Sequence, residues 1–270
     1  MANILRVALK LMGALPLLIS YLLISAALSV LMPSSSKKRM LVVQNTSFFA
    51  RMTLRLLGIR VHVEHAELLH KSSGGQLIIV NHLSYVDVLV ISSLMPAVFI
   101  TSVEMKHTLL LGTLAKFGGS IFVERRKASG LKKEIESIAH VLCEGFSVVL
   151  FPEGTTSNGE RVQPFKNSLF DSAIRAKSNI FPICLRYTKV NSRHITIDSR
   201  DSVFYYGDMT FCRHLPRLLA LRSVDLEVHP LETIRIPARA SRKALALEAS
   251  NAINRAYHGL AEGSRMDADG

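Results

Sequence analysis

Between Leu11 and Met32 the chain carries no charged residue, and the stretch is rich in leucine, isoleucine and alanine. As a helix rising about 1.5 Å per residue, it is long enough to cross a hydrocarbon core about 30 Å thick. Pro16 leaves two forms open: one kinked helix, or two shorter helices lying in the membrane interface. The run exceeds the apolar region of a signal peptide, and no small-x-small cleavage site precedes Ser34, so it reads as a retained anchor. Lys37, Lys38, Arg39, Arg51 and Arg55 follow it, against Arg6 and Lys10 before it. The positive-inside bias therefore places the main domain on the cytoplasmic side.

No Gly/Ser/Pro-rich linker divides the rest of the chain, and 270 residues at 49% hydrophobic suffice for one core. The expected organisation is a hydrophobic anchor over 1–40, one domain over 41–262 and a flexible tail over 263–270. Residues 41–57 form an amphipathic helix facing either the core or the membrane surface. Cys143, Cys184 and Cys212 show no C-x-x-C spacing and no even count, which fits core thiols in a reducing compartment. The net charge of +12 needs no nucleic acid to explain it. There is no Trp, few basic stretches are interleaved with aromatics, and an anionic membrane or anionic substrate accounts for the balance.

Short apolar runs alternate with helical patterns. Strands are expected at 59–65, 76–80, 97–101, 120–123, 147–151, 180–187, 195–198, 202–206 and 224–228. Helices are expected at 85–94, 105–117, 131–143, 166–176 and 241–261. This is an α/β pattern: a single mixed-sheet domain flanked by helices, behind an N-terminal membrane-anchoring helical segment. Reactive residues in such a fold gather where strand ends open into loops.

Four such loops carry chemistry-bearing residues. Val80-Asn-His-Leu-Ser-Tyr-Val-Asp87 places His82 just before a helix and Asp87 in its first turn, with Ser84 as a natural N-cap. A carboxylate on one imidazole nitrogen fixes the tautomer and leaves the other to accept a proton. The same spacing also describes a capping-box-like helix start in which Asp87 only satisfies backbone donors. Next, Gly118-Gly-Ser-Ile-Phe-Val-Glu-Arg-Arg126 delivers Arg125 and Arg126, with Lys127 alongside. The Arg fork suits phosphate, although a solvated surface run is the default reading of three consecutive basic residues. Val148-Val-Leu-Phe-Pro-Glu-Gly-Thr-Thr-Ser157 ends a strand, presents Glu153 and turns through Gly154, where backbone and Thr hydroxyls suit an anion. Finally, Pro182 inside an apolar run implies an edge strand or a pocket wall.

Taken together and in this order, the four blocks resemble the glycerolipid acyltransferase family, typified by 1-acylglycerol-3-phosphate acyltransferases. Asn81, His82, Ser84 and Asp87 match its N-H-x-S-x-x-D block. Gly119, Ile121, Phe122, Val123 and Arg125 match the second block, Phe151 to Thr155 match F-P-E-G-T, and Pro182 matches the proline block. The resemblance spans roughly 77–185. One departure stands out: many members carry Arg after Glu-Gly-Thr, and this chain has Thr156, with Lys166 the alternative source of charge.

The resemblance implies acyl transfer from acyl-CoA or acyl carrier protein to a lysolipid hydroxyl, with no bound cofactor, no metal and no nucleic-acid partner. His82 is then the general base and Asp87 its orienting acid. Gly119, Phe122, Arg125, Glu153, Gly154, Thr155, Lys166 and Pro182 form the substrate-binding set, and backbone donors meet the oxyanion. The expected acceptor is 1-acylglycerol 3-phosphate. Lyso-ornithine lipid or another lysophospholipid is the alternative, because Thr156 and Tyr205-Tyr-Gly-Asp-Met209 look similar to bacterial members acting on such acceptors. A serine hydrolase lacks its Gly-x-Ser-x-Gly elbow here, a metalloenzyme lacks a ligand cluster, and an inactive lipid-binding protein would have no need of the His82/Asp87 pair.

Overall fold

The computed structural model describes residues 2–33, 35–71, 74–108, 110–124 and 128–266. The helices are α1 (Ala2–Leu31), α2 (Ser36–Leu57), α3 (Ala66–Lys71), α4 (Val86–Leu94), α5 (Leu111–Phe117), α6 (Ala128–Cys143), α7 (Asp171–Ala176), α8 (Ile197–Arg200), α9 (Phe211–Ala220) and α10 (Arg242–Met266). The strands are β1 (Ile59–Val63), β2 (Leu77–Val80), β3 (Val98–Ser102), β4 (Ile121–Val123), β5 (Val148–Leu150), β6 (Ile180–Val190), β7 (Arg193–His194) and β8 (Val224–Pro230). They form a mixed sheet ordered β1-β8-β6-β2-β5-β3-β4, with β7 paired to β6. β6 runs antiparallel to β8, while β2, β3, β4, β5 and β6 run parallel to their neighbours in that half of the sheet.

Every residue of β2 is fully buried, because helices cover both faces of the sheet. Ile78 and Val80 point into one core with Leu54 of α2, Val86 and Val90 of α4, and Leu218 of α9. Leu77 and Ile79 point into the other, with Ile138 of α6, Ala173 of α7 and Ala249 and Ile253 of α10. The period-2 geometry of a strand sorts alternate side chains between these two layers. It also fixes the end of β2 at the point where β5 and β6 open into loops.

The fold departs from the expected elements in several places. The helix expected over 105–117 is a 3-10 turn, Val103–His107, followed by α5. The Thr108 hydroxyl accepts the Gly112 N–H at 2.9 Å, offering the backbone an alternative to continuous helix. The strand expected at 195–198 is α8 instead. There Thr196 and Ser199 form a reciprocal capping box, which satisfies the donors that a strand would leave open. Residues 202–206 form no strand; the N–H groups of Val203 and Phe204 both fold back onto Arg200 O. Helix α9 is absent from the sequence reading, and Pro216 inside it is the residue that disguises it. Pro182 also departs from the edge-strand expectation, since β6 lies between β2 and β8. Its carbonyl accepts the Leu231 N–H at 2.9 Å on the side where β8 ends at Pro230, so the missing Pro N–H removes a bond only at the strand's limit.

Helix α1 runs unbroken through Pro16 and is built onto the domain. Lys10 is buried, and its ammonium donates to Leu57 O at 2.5 Å and to Leu221 O at 2.8 Å, the carbonyls that end α2 and follow α9. Arg6 reaches Ala220 O, and Tyr21 donates to Leu114 O. A cation at two helix C-termini satisfies carbonyls that have no intrahelical partner. Lys10→Met keeps the stem and removes the donors, at about 1–3 kcal/mol for each stranded carbonyl. The expected outcome is a thermal midpoint several degrees lower in detergent; an unchanged midpoint would show that these caps contribute nothing.

Candidate active site

The loop after β2 carries Asn81 and His82. Asn81 is buried and bridges to β6, its carboxamide donating to Leu185 O at 3.0 Å and accepting Leu185 N–H at 2.7 Å. That two-way pairing locks the strand end from which His82 departs. Helix α4 begins at Val86, one residue later than expected. Ser84 Oγ meets Val86 N–H at 3.4 Å, and no side-chain bond caps Tyr85.

Asp87 is fully buried and accepts four hydrogen bonds. Its Oδ2 takes the Leu83 N–H at 2.7 Å, the Ser84 N–H at 2.9 Å and His82 Nδ1 at 2.9 Å, and its Oδ1 takes the Tyr187 hydroxyl at 2.6 Å. Burial and the Asp87 charge raise Tyr187 well above the ordinary tyrosine range, so the phenol keeps its proton and donates. The Leu83 and Ser84 N–H groups and the Tyr187 hydroxyl all donate to Asp87, so it meets the ring as an acceptor. Nδ1 therefore carries the proton, and Nε2 makes no hydrogen bond among the described residues. The His82 side chain is 17% exposed, and its ring lies on Phe151 at 3.9 Å between centroids and 16° from parallel. The two sequence readings of Asp87 are both true: it accepts the backbone donors of a helix start and orients the imidazole.

The loop after β5 clamps the main chain of His82. Glu153 Oε1 accepts the His82 N–H at 2.6 Å, Oε2 accepts the Gln163 N–H at 2.8 Å, and Ser157 N–H donates to His82 O at 3.0 Å. Burial, helped by the Asp87 charge, pushes Glu153 up to about 7, against the downward pull of the two backbone donors. Both Glu153 oxygens thus hold the protein's own backbone, and a substrate head group would have to displace one of those donors to reach them. Gly154 has φ +77°, and a Cβ there would lie 2.7 Å from Lys166 Nζ, so glycine is what lets the ammonium lie across the turn. Lys166 N–H also donates to Pro152 O at 2.9 Å.

The fold thus gathers His82, Asp87, Glu153, Gly154 and Lys166 where β2 and β5 end side by side, in register at Ile79 and Leu150. Thr155 is exposed on the same turn. Pro182 pairs with Ile79 on the adjoining strand. Gly119 (φ +74°) and Phe122 belong to the turn and edge strand β4, three positions from β2 and against Val42 of α2. Arg125, with Arg126 and Lys127, lies outside the described residues. Two contributors escaped the sequence reading. Phe151 sat inside a matched block with no role, and Tyr187 lies a hundred residues from Asp87 with no local signal at all.

A buried carboxylate and an imidazole oriented by it, presented at a strand end of a mixed sheet, have the geometry of a general-base pair. The model of the family described as Acyltransferase matches residues 60–186. A lyso-ornithine lipid O-acyltransferase of Brucella abortus is 33% identical over 214 residues, covering 77% of this chain and 79% of that one. A 1-acyl-sn-glycerol-3-phosphate acyltransferase of Neisseria gonorrhoeae is 30% identical over 159 residues, covering 57% and 58%. The crystal structure of the 1-acyl-sn-glycerophosphate acyltransferase from Thermotoga maritima shares the fold, with a TM-score of 0.67 at 18% identity over 96% of this chain and 95% of that one. The chain belongs to the glycerolipid acyltransferase family and is an O-acyltransferase.

The raised Glu153 sets a stability trend. Its folded value lies above the unfolded one, so the native state binds more protons between about pH 4.5 and about 7. Its contribution is full below that window and is lost as pH rises through it, a change on the order of 3 kcal/mol. Glu153→Gln cannot titrate and aims an NH₂ at one of the two backbone donors, costing about 1–3 kcal/mol. The variant should be clearly less stable than the parent at pH 5, with the gap narrowing toward pH 8 in denaturant titrations. A gap that stays constant with pH would show that Glu153 does not titrate in this range.

Proposed function

We propose that the chain moves a fatty acyl group from a thioester, acyl-CoA or acyl carrier protein, to the free hydroxyl of a lysolipid at a membrane surface. The observation that carries this is His82: Nδ1–H on a fully buried carboxylate and Nε2 free. Nε2 takes the hydroxyl proton as the oxygen attacks the thioester carbonyl. The tetrahedral intermediate then collapses, the C–S bond breaks, and the imidazolium returns the proton to the departing thiolate. Asp87 stabilises the transient imidazolium, and the face of Phe151 adds a cation–π contribution. No enzyme nucleophile is required.

For the acceptor we favour lyso-ornithine lipid. Thr156 stands where many family members carry Arg, and a threonine hydroxyl cannot offer a phosphate the paired donors of a guanidinium. The relatives from Brucella abortus and Rhizobium meliloti named for that acceptor also align over more of the chain than the neisserial ones. A second reading, 1-acylglycerol 3-phosphate, is favoured by the Lys166 ammonium beside Gly154.

The membrane reading rests on α1. Asn3–Leu31 is long and apolar enough to cross a bilayer, with a mean hydropathy of 2.2. Yet Arg6, Lys10, Tyr21 and the buried Ser25 all turn toward the domain, and Asn45 donates to Ser25 Oγ. Ile4, Leu5, Met12, Leu15 and Leu23 face outward, joined by Phe48 of α2. One face on protein and the other apolar and bare describes a helix lying in the interface on the domain's flank.

His82→Ala should lower kcat by about 10²-fold or more while thermal midpoint and vesicle flotation stay unchanged. Near-parental turnover would remove His82 from the reaction. The purified chain given both lysolipids and labelled acyl-CoA should acylate lyso-ornithine lipid preferentially; preference for the phosphate acceptor would establish the second reading.

A further inference from the structure

The chemistry above leaves Tyr205-Tyr-Gly-Asp-Met209 and α9 without a role. Between them opens a cavity of about 400 Å³ whose lining includes Tyr206, Asp208, Thr210, Arg213, His214 and Arg217. Arg213 and Arg217 are exposed and one turn apart on α9, and Asp208 is exposed on the facing loop. Among the described residues none of these three charges makes an ion pair, although Asp201 close by pairs with Arg200 and accepts the Tyr206 hydroxyl at 2.7 Å.

This cavity is fastened to the catalytic loop. Tyr205 N–H donates to Leu83 O at 3.0 Å, one residue from His82. The Tyr85 hydroxyl lies 2.9 Å from His214 Nδ1, and the Tyr85 ring packs edge-on against Tyr205 and Phe211 at 5.3 and 5.1 Å. His214 is buried, and desolvation holds it below the ordinary histidine range, so its neutral ring can accept a hydrogen bond from the Tyr85 hydroxyl at Nδ1. His214 belongs both to this cluster beside the His82 loop and to the lining of the cavity.

Two guanidinium groups and one carboxylate that share a cavity without neutralising one another complement a ligand bearing both signs. A phosphate monoester would meet the two arginines but be repelled by Asp208; an amino-acid head group meets all three. We propose that this cavity binds the head group of a zwitterionic amino-acid lysolipid, its carboxylate on Arg213 and Arg217 and its ammonium on Asp208. The assignment rests on the lyso-ornithine reading of the acceptor and locates the part of the enzyme that selects it. Arg supplies the planar fork that a carboxylate takes up bidentately.

The test is steady-state kinetics on the full-length protein and on Arg213→Gln/Arg217→Gln, Asp208→Asn and Arg217→Lys. Lyso-ornithine lipid, 1-acylglycerol 3-phosphate and the acyl thioester are varied in turn. The double variant should raise KM for lyso-ornithine lipid about tenfold or more with kcat within about twofold, and leave the thioester KM unchanged. Asp208→Asn should raise KM for the same acceptor severalfold without raising it for the phosphate acceptor, and Arg217→Lys should fall between parent and double variant. These side chains are exposed, so thermal midpoints should match the parent and separate binding from folding. An unchanged KM overturns the cavity assignment, as does a rise confined to the thioester. An equal rise for both lipids together with lost vesicle binding also overturns it, showing a membrane-contact patch. If the parent protein does not turn over lyso-ornithine lipid, the acceptor reading fails and takes this assignment with it. If the parent does and the variants match it, only the cavity assignment fails.

Discussion

The Asp87 carboxylate is the point on which the rest of the structure turns. Four donors converge on it: two backbone N–H groups of its own loop, the His82 ring and the Tyr187 hydroxyl from β6. Buried charge is costly unless it is satisfied in this way. The same satisfaction forces the imidazole into the tautomer with Nε2 free. Capping a helix and orienting a base are usually weighed as rival readings of an acid three residues into a helix start. Here one group both accepts the backbone donors and orients the imidazole, because Oδ2 receives all three N–H groups.

Sheet topology explains why His82 is held so firmly. β2 and β5 are neighbours and parallel, so their C-terminal ends open on the same side and their loops meet. Glu153 from one loop grips the His82 N–H of the other, Ser157 grips the His82 carbonyl, and Phe151 supports the ring. Side chain and main chain of one residue are thereby fixed from three directions. Asn81 extends the grip to β6 on the other flank.

The N-terminal helix changes character once seen in place. By composition it is a free anchor; in the fold its polar residues are structural. Lys10 ends α2 electrostatically, and Tyr21 and Ser25 tie α1 to α5 and α2. The remaining apolar face lies on the flank of the domain, which ties the orientation of the catalytic domain to that of the helix.

Much of the site was legible along the chain because its parts are local. Histidine and aspartate five positions apart, a glycine in a positive-φ turn, and strands marked by apolar runs all follow from short-range geometry and composition, and so did the mixed α/β class. What failed was where distant groups decide. Thr108 and the Thr196/Ser199 box redirected two segments through side-chain bonds that competed with the expected element. Pro216 concealed a helix, and Pro182 suggested an edge where the sheet in fact continues. The linear order of residues therefore determined which chemical groups exist and which loops bear them. Only tertiary structure decided that Tyr187 meets Asp87 and Phe151 stacks on His82, that Glu153 binds backbone, and that α9 stands beside the His82 loop. Those facts depend on strand order and helix packing, which bring together residues that no periodicity along the chain connects.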